Sequence, residues 1–220
     1  MEFVGIAAGK VVSTSAVFLI LTIVGLAVAR RISTCVLLFS MQSVIITAQV
    51  AATAYLENSR EAWVVAGLVF AFKVLGIPYA FFWLVERLKS PRDVKASTTP
   101  AQSVFVVVVM VFISYAAVRS YAFGIRVPED ALAAAVALIL TGAFLMVSRK
   151  KALMQMLGLL VLENGIFLAA LTTTFGMPLV IEMGVLFDVV VGLLLMGIFT
   201  FRIRDTFDHL DVSRLRRLRG

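Results

Sequence analysis

Apolar residues run along this chain in long unbroken stretches, and polar residues gather in short clusters between them. Seven stretches stand out, at roughly 11–29, 32–56, 62–85, 101–118, 131–148, 152–175 and 177–201. Each holds 18–25 residues, enough for an α-helix to cross a hydrocarbon core of ~30 Å. The runs are continuous rather than alternating, which argues against strands. A helix also satisfies its own backbone hydrogen bonds, as lipid requires. The pattern predicts an all-α polytopic membrane protein with about seven transmembrane helices.

Composition agrees and narrows the function classes. Of the 220 residues, 61% are hydrophobic and 15% charged, against roughly 25% charged in an ordinary soluble domain. A soluble globule of this size cannot hide so much apolar surface. A soluble enzyme and a disordered binder are both excluded. The chain has one cysteine, Cys35, and one histidine, His209. One chain therefore cannot close a disulfide, a four-thiolate cluster, a bis-histidine haem or a structural zinc site. There is no Gly-rich phosphate loop and no credible Ser/His/Asp set. The expectation is a non-catalytic chain with no cofactor of its own. Cys35 reads as a small apolar filler, and His209 as part of a solvated tail.

The positive charges predict orientation. With seven spans, Lys10, Arg60, Arg119 and Arg126 fall on the N-terminal side. Fifteen fall on the other side, among them Arg30, Arg31, Arg87, Arg149, Lys150, Lys151 and the six arginines of the tail. The expected topology is N-terminus outside and C-terminus cytoplasmic, in the cell inner membrane. The net charge of +7 follows from this asymmetry and from contact with anionic headgroups, so nucleic acid is not needed to explain it. Ala27-Val28-Ala29 resembles a signal-peptide cleavage site. The apolar run before it is too long for that role, and cleavage would invert every later loop, so retention is expected. The segment 90–100 reads as a boundary between an N-terminal three-helix part, 1–95, and a C-terminal four-helix part, 96–220.

Four ionisable residues fall inside the spans: Lys73, Glu163, Glu182 and Asp188. Each central charge costs roughly 2.5–3.5 kcal/mol on insertion scales, and such residues usually face a polar interior. Lys73, Glu163 and Asp188 are each the twelfth residue of their span. Counting therefore puts all three near the midplane, suited to a lateral proton relay in which carboxylate and lysine shift each other's affinity for protons. Glu182 lies about 9 Å nearer the outside. Pro178 suits the first turn of that helix, and an acid there complements the helix dipole, so a structural role competes. Lys73 precedes Gly76 and Pro78. Pro78 cannot donate to the carbonyl of Val74, which predicts a kink that opens backbone carbonyls to water or serves packing alone. In the second span Cys35, Gln42, Gln49 and Thr53 share a face. Interhelical hydrogen bonding explains them, and lining a polar path with Asn164 is the sharper alternative.

The residues also carry a resemblance. The stretch from Ser148 onward, with LENG at 162–165, VIEMG at 180–184, Asp188 and the tail LDVSRLRRLRG, closely resembles component E of hydrogenase-4, a membrane subunit of formate hydrogenlyase-type complexes. FKVLGIP at 72–78 is similar to the lysine-bearing third helix of that family. The last three helices, about 131–220, resemble subunit K of respiratory complex I and the matching small subunit of multisubunit sodium/proton antiporters. Glu163 matches the first buried glutamate of subunit K. Asp188, four residues before Gly192-Leu193, matches the second with aspartate for glutamate, and Glu182 is extra. The resemblance implies a subunit of a complex I-like membrane arm. Its partners would be antiporter-like and quinone-site-type subunits, with the redox centres elsewhere. Proton transfer would fall to Glu163, Asp188, Lys73 and Glu182. A structural spacer, a subunit of a cation/proton antiporter, and an independent transporter are the alternatives.

Overall fold

The computed structural model describes residues 2–58, 60–87, 96–121, 128–173 and 192, with side chains in the first helix described from Thr14 onward. Among these residues the chain is helical apart from short connecting segments, which include an isolated antiparallel bridge between Ala96 and Arg149. Helix α1 runs Glu2–Val28 and α2 Ile32–Glu57. Asn58 ends α2 in the left-handed region at φ 50°, and its N–H reaches the carbonyls of Ala54 and Tyr55. Asparagine tolerates this conformation better than most residues.

The next rod is continuous but irregular. Helix α3, Arg60–Val69, passes into a π-helical segment, Phe70–Gly76, and then into α4, Ile77–Arg87. Helices α5 (Pro100–Tyr121), α6 (Glu129–Ser148) and α7 (Ala152–Thr173) follow.

Five helical stretches are long and apolar enough to cross a membrane: Ile32–Leu56, Arg60–Trp83, Pro100–Ser120, Glu129–Ser148 and Ala152–Thr173. A shorter apolar stretch, Thr14–Val28, belongs to α1. The expected span at 177–201 lies outside the described residues except for Gly192. Many large apolar side chains face outward, among them Phe105, Phe112 and Val147. In water such a surface is an association hazard; in lipid it is the normal exterior of a helical protein. The five apolar helices fit a membrane protein.

One unit, residues 1–185, contains all the described helices, and a second, 186–220, is represented among the described residues by Gly192 alone. Within the first unit α1 packs on α2, α5 and α6, while α2 packs on α3, the π segment, α4 and α7. The most extensive contact joins α6 to α7. Its cause is sequence-local. A Cβ on Gly165 would stand 2.7 Å from the Ile139 nitrogen, and one on Gly158 2.8 Å from the Met146 nitrogen. Gly142 faces the Leu162 backbone as closely. In lipid, helices gain little from hydrophobic burial and associate through such close backbone approach. Ala131, Ala134, Ala135 and Leu138 fill the rest of the buried face of α6.

Candidate functional site

Lys73 sits in the middle of the π segment and is 1% exposed. A π turn pairs each N–H with the carbonyl five residues back, as Ile77 does with Phe72. The widened turn holds an extra residue and alters which side chains face the neighbouring helices. The sequence predicted a proline kink freeing the Val74 carbonyl. The structure has the irregularity instead as a π turn just ahead of Pro78. The proline ring crowds the carbonyl of residue 74, and a widened turn is one way to relieve that crowding.

Glu163 and Asn164 meet this lysine from α7. The ammonium lies 3.3 Å from Glu163 Oε1, and the two side chains are 1% and 2% exposed. It also donates to Asn164 Oδ1 at 3.1 Å. Phe167 presents its ring 5.3 Å from the same nitrogen. It stands one helical turn beyond Glu163, so i, i+4 spacing puts both on one face. A cation over an aromatic ring contributes ~0.5–2 kcal/mol, more as the site dries. Sequence reasoning missed Phe167, although that spacing was visible.

Several buried polar atoms of α2 and α7 lack a hydrogen bond among the described residues. They include both amide atoms of Gln42, Nδ2 of Asn164 and both carboxylate oxygens of Glu163, whose one described partner is the ion-pair contact. Buried polar atoms are normally satisfied by protein or ordered water. Gln42 is fully buried on α2, the helix that packs against both the π segment and α7. Gln49 has a different place. Its Nε2 donates to Ser15 Oγ of α1, and the Thr53 hydroxyl donates to the Gln49 carbonyl. The predicted polar stripe of α2 is therefore real but divided. Gln49 ties α2 to α1, and Gln42 is left for other company.

Glu182 and Asp188, the other two predicted proton-transfer residues, lie outside the described residues.

A second buried cation was read from the sequence only as an orienting charge. Arg149, just past the end of α6, is 2% exposed. Its Nη2 donates to the carbonyls of Leu26 at 3.0 Å and Ala27 at 3.3 Å, in the last turn of α1. Those carbonyls have no intrahelical partner and carry the negative end of the helix dipole. Burial pulls the guanidinium below the ordinary arginine value, with Cys35 opposing the effect and Arg30 adding to it. Arginine stays charged at neutral pH all the same. Around it, the Ser97 N–H donates to the Ser148 carbonyl, and Gln155 Nε2 to that of Arg149. Cys35 is buried nearby, its sulfur 4.0 Å from the Ala29 carbonyl. Nothing in the run Ser148-Arg149-Lys150-Lys151 marks the arginine as the base that turns inward.

No protein-family pattern matches the chain, and no solved structure matches it. Over 169 residues it is 30% identical to the uncharacterized protein Rv0085 of Mycobacterium tuberculosis, covering 74% of this chain and 75% of that protein. At that identity and coverage, the chain belongs to the same family as Rv0085.

Proposed function

We propose that this chain is a membrane subunit of a complex I-like or hydrogenase-4-type assembly. Its mid-membrane charges take part in proton translocation driven by redox reactions in partner subunits. The observation that carries the reading is the ion pair between Lys73 and Glu163, closed off from solvent and set in a π turn. Intramembrane ionisable residues mark ion pathways, and π turns are frequent at functional sites. In a carboxylate–ammonium pair, moving either charge changes the proton affinity of the other. In this reading Glu163 exchanges protons, Lys73 sets its affinity, and Asn164 orients the lysine. Asp188 and Glu182 continue the relay. The chain crosses the cell inner membrane seven times, with its N-terminus outside and its C-terminus in the cytoplasm. It is not itself catalytic.

The test is Glu163→Gln in the assembled complex, with proton pumping measured beside electron transfer. Pumping is expected to fall at least tenfold while electron transfer continues. Unchanged pumping in a normally assembled complex overturns the role of Glu163. A second reading is a structural spacer, and the contacts of Lys73 with both Glu163 and Asn164, which tie the π segment to α7, favour it. Neutralising Lys73, Glu163 and Asp188 together separates the two, since a spacer that assembles keeps pumping. If the parent complex proves to hold only antiporter-like subunits, the same residues serve cation/proton exchange.

A further inference from the structure

Helices α1 and α2 enclose an open groove of about 580 Å³. Its walls include Phe18 and Leu21 from α1 and Leu37, Met41 and Val44 from α2, all about half exposed. The lining is almost wholly apolar. On α2 the groove continues a stripe at helical spacing: Arg31, Thr34, Leu38, Met41 and Ile45. The stripe has a cation at one end, a threonine next to it and hydrocarbon from Leu38 onward. Arg30 adjoins Arg31 in the turn between the two helices, and both are exposed. Neither has an ion-pair partner among the described residues. Glu86 lines a separate, smaller pocket together with Ser33 and Val36 of α2.

We propose that this groove is a binding site for an anionic phospholipid, with its phosphate on Arg30 and Arg31 and an acyl chain between α1 and α2. The dimensions agree. At ~1.5 Å per residue, Leu37 and Ile45 stand about 9 Å and 21 Å along α2 from Arg31. That interval reaches through roughly one leaflet of a ~30 Å hydrocarbon core. The lining distinguishes this face from a helix-docking face. Helices that dock in lipid bring small residues and polar groups together, as α6 and α7 do at Gly142, Gly158 and Gly165. This groove offers long and aromatic side chains that adapt to a flexible chain.

The experiment titrates the purified full-length chain in neutral detergent with palmitoyl-oleoyl phosphatidylglycerol or phosphatidylcholine, reading bound lipid by native mass spectrometry. Phosphatidylglycerol is expected to bind about tenfold more tightly, since each cation near the surface adds to anionic lipid attraction. Met41→Trp with Val44→Trp fills the groove and weakens both lipids severalfold. Arg30→Gln with Arg31→Gln removes the preference and leaves phosphatidylcholine binding in place. These arginines also bear on helix orientation, so the headgroup comparison and the groove variant each decide the matter alone. Equal affinity for the two lipids in the unaltered chain overturns the site. So does a preference that survives the arginine variant, or binding that ignores the filled groove. A photo-crosslinker at Met41 that captures a protein segment instead of a lipid in native membranes overturns it too, in favour of a partner helix.

Discussion

The two deeply buried cations among the described residues are answered in opposite ways. Lys73 stands mid-rod against a carboxylate and an amide from α7. Arg149 stands at a helix end against two backbone carbonyls of α1. Neither side-chain type is at home in an apolar interior. The difference lies in whether the answering group can itself change charge. Carbonyl dipoles are permanent, so Arg149 is a fixed pin that holds the end of α1 to the junction of α6 and α7. At Lys73 the answering group is instead a carboxylate, a chemical type that can take up a proton. The residue types follow suit: arginine keeps its proton at physiological pH, whereas a buried lysine can release one. The first region sets a charge against permanent dipoles, and the second sets it against a group of ionisable type.

The comparison is sharpest at Glu163. Glu163→Leu removes the carboxylate beside the buried Lys73 ammonium, and breaking one side of a buried pair costs about 3–5 kcal/mol. Removing both charges with Lys73→Met and Glu163→Leu is expected to recover most of that loss. Reversible unfolding in mixed micelles measures both. If the double variant is no more stable than the single one, Lys73 is held by something other than its ion pair.

Arg149→Ala comes next, with an expected loss of about 1.5–3 kcal/mol, the range for hydrogen bonds to a charged group. Arg149→Lys should recover only part of it, because an ammonium does not reproduce the planar fork. Combined with Glu163→Leu, its effect should add to within about 0.5 kcal/mol. A larger coupling in the same unfolding measurement means that the two cations belong to one network and the contrast fails.

The smallest effect tests how the lysine is held in place. Phe167→Leu keeps the bulk of the side chain and removes the ring face. A loss of about 0.5–1 kcal/mol in the unfolding free energy is expected. The same change should be near zero in a Lys73→Met background. An undiminished loss there means that Phe167 acts by packing alone.

Much of this architecture was legible beforehand, for a physical reason. Lipid demands long apolar helices, and the length of an apolar run is a property of sequence alone. The stretches at 32–56, 62–85, 101–118, 131–148 and 152–175 accordingly appear as helices with ends shifted by a few residues. Equal depth was also countable, because helical rise is uniform. Lys73 and Glu163 were put at one level by position, and in the structure they touch. Rotation was not countable. Which way a helix turns depends on the faces that neighbours offer, and a single π turn changes it. Gln42 and Gln49 share one stripe in the sequence, yet only the packing of α1 gives Gln49 its serine.

The sequence by itself determined the class, the helices and the few charges that lipid makes costly, since these follow from run length and composition. The tertiary structure alone decided which costly groups found each other. It turned Lys73 to Glu163 rather than to a lipid headgroup. It also drew Arg149 out of a run of three bases onto the carbonyls of a helix more than a hundred residues away in the chain. The cost of burying a charge is written in its chemistry, but the partner that offsets this cost comes from another helix, and only packing brings that helix near.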